Sequence, residues 1–138
     1  MPTWDEIRRY VRKHYHPIAE TETSLTLQCV FPDGARQTVL VSHLTHRSGG
    51  PFVEVASAVG DTRSLAAADA LAYNDRVSTG TLVLVGELIC LRQLLKLEDL
   101  RLGDLDHALT YVASEATRLR RVSRRPPVSP ELFWYLAS

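Results

Sequence analysis

The sequence predicts an α+β protein in which helices pack on an antiparallel sheet. Apolar residues recur at helical spacing in three separate segments, and five other segments read as short strands. No strand–helix–strand unit of the kind that builds a parallel sheet repeats along the chain. The predicted order of elements is α-β-β-β-α-β-β-α, followed by a short docking segment at the C-terminus.

Length and charge are those of one ordinary globular domain. The 138 residues are enough to bury a core without a disulfide or a metal. The 16 Lys and Arg residues balance the 16 Asp and Glu residues, so there is no net charge to attract nucleic acid or anionic lipid. No apolar run approaches the ~18 residues of a membrane span, and the N-terminus does not read as a secretory signal. We therefore expect a cytoplasmic protein that binds neither nucleic acid nor a membrane.

The first helix is predicted by its cap and by its apolar spacing. Thr3 and Glu6 form a capping box, in which the Thr3 hydroxyl accepts from the Glu6 backbone N–H. Trp4, Ile7 and Val11 then recur at helical spacing on one face. Basic residues occupy the rest of the helix and its end, where cations suit the helix dipole.

Three strands joined by short loops follow and predict an antiparallel meander. The stretch 24–31 alternates between apolar and polar residues. The turn at 32–35 contains a proline and a glycine, and 37–44 returns as the second strand. After a loop with two adjacent glycines, 52–59 forms the third strand.

The second half of the chain contains a helix, a hairpin and a long helix. The helix at 65–74 is rich in alanine, which favours helix and allows another backbone to approach closely. Two strands within 80–92 are joined at Gly86 by a very short turn. The last helix, from Asp104 onward, has one continuous apolar face. That face consists of Leu105, Ala108, Leu109, Val112, Ala113, Ala116 and Leu119.

The composition changes near residue 123, which divides the chain in two. We assign 1–123 to the α+β domain and 124–138 to an Arg/Pro linker with an aromatic C-terminal segment. The segment is too short to be a stable helix alone, and it is aromatic, so it should dock. Phe133, Trp134 and Leu136 are expected to enter a groove, on this subunit or on a second copy, in the place that a client would take.

The order and several stretches resemble the type III secretion chaperone-like superfamily, which includes the Tir-chaperone and YbjN-like proteins. The stretch 70–74 (Ala-Leu-Ala-Tyr-Asn), then Gly80 and the strand 82–84, is similar to the helix-to-strand segment of that family. The stretches 91–109 and 33–39 are similar to its final strand and helix and to its first hairpin. The resemblance implies a homodimer that binds a polypeptide, and it carries no catalytic residues or cofactor.

Two surfaces follow as candidate binding sites. Val30, Leu40 and Leu44 share a strand face with polar residues, so they are either scattered surface residues or an apolar strip for an extended peptide. In the alanine-rich helix, the small residues either pack on the sheet or form a dimer interface across a two-fold axis. The candidate interface residues are Ala66, Ala67, Ala70 and Leu71.

The residues that could support catalysis or bind a metal do not combine into a site. His43 and His46 lack the further ligands that a closed zinc site requires, and no activated nucleophile motif occurs. Cys29 and Cys90 are expected to be buried thiols, with a disulfide possible only if their strands are neighbours. We therefore expect no enzyme activity, no metal and no cofactor.

The arginines at the end of the last helix support an alternative function. Arg118, Arg120, Arg121, Arg124 and Arg125 either complement the helix dipole or form a patch for acidic partners or nucleic acid. The alternative to a peptide-binding protein is therefore a small regulatory protein that acts through this basic helix end.

Overall fold

The computed structural model describes residues 2–45 and 49–123, and it has the α+β architecture that the sequence predicts. The helices are α1 (Trp4–Tyr15), α2 (Ala67–Arg76) and α3 (Leu102–Ser123), with a short 3₁₀ helix η1 (Leu97–Asp99) before α3. The strands are β1 (Ala19–Glu20), β2 (Ser24–Val30), β3 (Arg36–Leu44), β4 (Phe52–Asp61), β5 (Thr81–Val85) and β6 (Leu88–Lys96).

The six strands form one antiparallel sheet in the order β1-β2-β3-β4-β6-β5. The predicted meander is present as β2-β3-β4, and the predicted late hairpin is present as β5-β6. The hairpin turn has two residues, Gly86 and Glu87, and Gly86 has a φ of +62°, which glycine adopts without strain. Since β6 rather than β5 pairs with β4, β5 lies at an edge of the sheet.

All three helices pack on one face of the sheet, which we call the inner face. Trp4, Ile7 and Val11 of α1 are buried, as the spacing predicts, and so are Leu105 and Val112 of α3. These side chains cluster with inner-facing residues of four strands. The inner-facing residues are Leu25, Leu27, Val39, Val41, Val53 and Val55, with Leu95 packed against them. The opposite side is called the outer face.

Side-chain hydrogen bonds set the start of α1 and its position on the sheet. The Thr3 hydroxyl accepts from the Glu6 backbone N–H at 3.2 Å, which is the predicted N-cap. At the other end, the phenol groups of Tyr10 and Tyr15 both donate to the carboxylate of Asp106 in α3, at 2.6 and 2.5 Å. These bonds connect the first helix to the last one across the inner face.

A buried polar network connects α3 to the central strands near the β2–β3 turn. The Gln37 amide donates to the hydroxyl of Ser57 and to the carbonyl of Ala58. Its oxygen accepts from Thr117 and Arg120 of α3. Because every buried polar group costs free energy unless it is hydrogen-bonded, this network fixes how the end of α3 lies over β3 and β4.

The two cysteines are free thiols, and the fold rules out a disulfide between them. Cys29 lies in β2 and Cys90 lies in β6, with β3 and β4 between these strands. The prediction of two buried thiols is confirmed for Cys90, which belongs to a cluster on the outer face. It is wrong for Cys29, which is only partly buried against the inner-face core because it lies near the end of β2. Burial raises the pKa of Cys90 to about 12, so its thiol is protonated at neutral pH.

Candidate functional site

An apolar groove lies between α2 and the edge strand β5. It has a volume of about 330 Å³ and is lined mainly by aliphatic and alanine side chains. Two large apolar residues stand exposed on its walls: Leu71 of α2 is 70% exposed and Leu84 of β5 is 63% exposed. The two exposed leucines thus lie beside one apolar groove and are not scattered singly over the surface.

The groove exists because α2 packs shallowly. Tyr73 is the only buried residue of this ten-residue helix. The Tyr73 hydroxyl donates to Glu115 of α3 at 2.6 Å, and burial followed by this bond raises the pKa of the phenol. Ala67 and Ala70, which precede Tyr73 and line the groove, have side chains too short to fill the space beside β5, so a cleft remains along the helix.

Asn74 attaches α2 to the outer edge of β5. Its side-chain amide donates to the carbonyl of Leu82 at 3.1 Å, and its oxygen accepts from the Leu82 N–H at 2.7 Å. The backbone of Leu82 therefore points away from β6. In an antiparallel pair, the N–H and C=O groups of successive residues point alternately toward and away from the partner strand. The N–H and C=O of Leu84, two residues after Leu82, therefore also point away from β6. The edge of β5 is thus covered at Leu82 and open at Leu84.

The structure places the predicted dimer residues at or next to this groove. Ala67, Ala70 and Leu71 line it. Ala66 is the N-cap position of α2 and is exposed. Leu84 and Asn74 also line this groove, and neither was predicted to belong to this surface. Leu84 reads as a core strand residue, and only its position at a sheet edge makes it exposed.

The predicted peptide strip does not form a continuous exposed surface. Val30 is 62% exposed near the end of β2, and Leu44 is partly buried at the end of β3. Leu40, which lies between them on the outer face, is only 3% exposed. Leu40 clusters instead with Ala58, Leu88 and Cys90 on that face.

The histidines have structural surroundings in the part of the chain that can be described. The His43 ring stacks on Trp4 with a centroid distance of 5.2 Å, and burial lowers its pKa. His46 lies outside the described residues, so the His43–His46 pair has no described geometry. His107 is exposed beside a cleft between β6 and α3. Among the described residues, no group of three potential ligands is suitably placed to hold a metal.

The arginines at the end of α3 are engaged within the domain. Arg118 forms an ion pair with Glu115, and Arg121 forms one with Asp33 in the β2–β3 turn. Arg120 is buried and donates to the Gln37 side chain. Each of these three guanidinium groups therefore has an intramolecular partner. Arg124 and Arg125 lie outside the described residues.

The predicted tail residues Phe133, Trp134 and Leu136 also lie outside the described residues. Their docking therefore stays a prediction at this point.

Comparisons with protein-family models, with curated proteins and with solved structures find no match to this chain. None of the helices in the described part of the chain is long and apolar enough to cross a membrane. The surfaces described above must therefore be interpreted from their own chemistry.

Proposed function

We propose that this protein is a non-catalytic polypeptide-binding protein, a chaperone or adaptor of the type III secretion chaperone-like kind, that acts as a homodimer. The observation that carries this proposal is the apolar groove between α2 and β5, with Leu71 and Leu84 exposed on its walls. A second copy related by a two-fold axis presents the same protruding leucines and the same small residues. Each groove then receives the partner's apolar side chains, which removes this surface from water.

The open edge of β5 supports the same arrangement. In a two-fold dimer, the outward N–H and C=O of Leu84 face those of the second copy, as in an antiparallel strand pair. The side chain of Asn74 blocks the neighbouring backbone position at Leu82. Strand pairing at this edge is therefore confined to a short stretch, which favours one defined partner over open-ended aggregation.

Dimer formation is tested by matched substitutions on α2. Ala67 lines the groove, whereas its neighbour Ala68 is exposed and does not line it. We expect Ala67→Arg to give a monomer in light scattering at micromolar concentration, because the long cation has to lie in the apolar interface. Ala68→Arg should keep the dimer. If both variants have the mass of the unmodified chain, α2 is not the interface.

Polypeptide binding is tested by affinity capture from a lysate of the native source with an N-terminal tag, analysed by mass spectrometry. We expect one dominant protein that remains bound at high salt, since an apolar surface is insensitive to ionic screening. Leu84→Asp places a charge on the exposed wall of the groove and should reduce the yield of that protein. Partners that are acidic and are lost in salt would instead support a function of the basic helix end.

A further inference from the structure

Among the residues that the structure describes, the outer face carries a second apolar cluster, which is built from strand residues alone. Leu40, Ala58, Leu88 and Cys90 form it, and Val83 and Val85 pack against it. The buried residues of α1, α2 and α3 cluster with inner-face side chains instead. Four strands therefore present a common apolar patch on the side of the sheet opposite the helices.

This patch has the low exposure of an interior. Cys90 is 1% exposed, and Thr26, which pairs with Leu40 across β2 and β3, is also 1% exposed. The Thr26 hydroxyl is buried without a hydrogen-bond partner. Farther along the same face of β2, Val30 is largely exposed. On an uncovered sheet face, the side chains of Thr26 and Cys90 would be exposed like that of Val30. Their burial is what a layer covering the patch would produce.

The position of the patch relative to the end of α3 identifies what can cover it. Arg121 pairs with Asp33 and Arg120 binds Gln37, so α3 ends beside the β2–β3 turn. Ala58 near the end of β4 and Leu88 at the start of β6 lie at the same end of the sheet, since Ala58 pairs with Cys90. The chain therefore leaves α3 at the end of the sheet where the patch lies.

The remaining chain is long enough to reach the outer face. Residues 124–130 span up to about 23 Å when extended, and Pro126 and Pro127 favour an extended form. Passing from the helix layer to the far side of the sheet requires about 20 Å, given layers roughly 10 Å apart. Residues 131–138 span about 12 Å as a helix. The patch crosses four strands spaced about 4.8 Å apart, so its width is similar.

We propose that the C-terminal segment, residues 129–138, docks intramolecularly on the outer face over Leu40, Ala58, Leu88 and Cys90. Leu132, Phe133, Trp134 and Leu136 supply the apolar surface that matches the patch, and Glu131 is the only charged side chain in the segment. The docking does not depend on the proposed function. Under that function, the segment occupies the strand face that includes Leu40, and a client binding there has to displace it.

The thiol of Cys90 reports this docking directly. In a Cys29→Ser background, Cys90 is the only thiol of the chain, and we expect slow reaction with a thiol reagent. The double substitution Phe133→Ser/Trp134→Ser should accelerate the labelling of Cys90 at least about tenfold. A buried thiol reacts only while the structure around it is open, and loss of the docked aromatic side chains should increase the fraction of molecules in that open state. The matched control is a Cys90→Ser background, in which Cys29 is the remaining thiol. Cys29 is partly buried on the inner face, away from the proposed docking site, and should label at an unchanged rate.

Equal labelling of Cys90 with and without the two substitutions would overturn the proposal. Protection of Cys90 that is lost on dilution would also overturn it, in favour of coverage by a second copy.

A separate measurement covers the case in which the double variant fails to fold. Trp4→Phe leaves Trp134 as the only tryptophan, and docking predicts blue-shifted emission that is shielded from a soluble quencher. Emission typical of exposed tryptophan in the folded chain would contradict docking.

Discussion

At the scale of single residues, the clearest electrostatic feature is an imidazole held in an aromatic environment. His43 lies in β3 with its ring stacked on Trp4, and the Trp4 indole N–H donates to the carbonyl of Glu22 at 2.8 Å. The Nε2 atom of His43 is buried without a hydrogen-bond partner. A charged imidazolium at this position would lose hydration without gaining an acceptor, which is why burial lowers its pKa.

This environment makes the stability of the fold dependent on pH. Because the pKa of His43 is lower in the folded chain than the usual value of about 6.5, the unfolded chain binds the proton more readily. The stability contributed by the neutral ring is therefore complete above that value and is lost as the pH falls below it. We expect the free energy of unfolding, measured with denaturant, to decrease from pH 8 to pH 5.

The variant His43→Phe isolates this effect, because it keeps a ring on Trp4 and removes the titrating group. Its free energy of unfolding should depend less on pH than that of the unmodified chain. His107→Phe, at an exposed position of α3, serves as the control and should keep the full dependence. If His43→Phe and the unmodified chain lose the same stability on acidification, His43 is not the group responsible.

At the scale of secondary-structure elements, α2 depends on few contacts. It buries only Tyr73. Two hydrogen bonds between the Asn74 side chain and the Leu82 backbone, one donated by each residue, hold it against an edge strand that has a single neighbour in the sheet. The connection to β5 is tight, because a Cβ atom at Gly80 would lie 3.1 Å from the Tyr111 ring and 3.2 Å from Leu91. Within the α2–β5 unit, Asn74 supplies the hydrogen bonds that join the helix to the strand.

Asn74→Ala should weaken this unit. Two hydrogen bonds are lost, and each contributes about 0.5–1.5 kcal/mol, so we expect the free energy of unfolding to decrease by about 1–3 kcal/mol. Hydrogen exchange gives the more specific measurement, since the Leu82 amide loses its acceptor and should exchange faster. Asp75→Ala, at the next and exposed position of the helix, is the control. Unchanged protection of the Leu82 amide in Asn74→Ala would show that the α2 contact does not protect this edge.

The elements were predictable where a local pattern determines them. The spacing of Trp4, Ile7 and Val11 and the apolar face of α3 result from helical geometry, and both faces are buried as expected. The two-residue strand β1 and the 3₁₀ helix η1 were not predicted, because neither is long enough to show a period. The exposure of Leu84 was also beyond the sequence, since it depends on which strand ends the sheet.

At the scale of the whole molecule, the order of strands and the use of both sheet faces could not be predicted from the sequence. The sequence places β5 and β6 together as a hairpin, but the choice of β6 as the neighbour of β4 depends on long-range packing. Likewise, alternation in β3 assigns Leu40 to the face opposite Val39 and Val41, yet it does not reveal that this residue is buried. The helices in the described part of the chain cover one face of the sheet only, so the burial of Leu40 does not follow from the elements that the sequence predicts.

The inner layer is held together by a contact between the two ends of the described chain. Asp106 of α3 accepts hydrogen bonds from Tyr10 and Tyr15 of α1, which are 96 and 91 residues away in sequence. Burial and then the bond to Asp106 raise the pKa of Tyr15. Since α1 contributes three buried residues to the core, this carboxylate helps to determine whether the first helix remains on the sheet.

We expect Asp106→Ala to loosen α1 selectively and to destabilise the whole fold. It leaves the phenols of Tyr10 and Tyr15 without their carboxylate acceptor. For the partly buried Tyr15 alone, a hydrogen bond to a charged group contributes about 1.5–3 kcal/mol, so we expect a loss of that order. Amides of α1 should exchange faster than those of β3 and β4, because the sheet keeps its own hydrogen bonds. Asp99→Ala, an exposed position in η1, controls for the removal of a carboxylate. If exchange accelerated equally in α1 and in the central strands, the two ends of the chain would form a single cooperative unit, and the contact would not be a local attachment of the first helix.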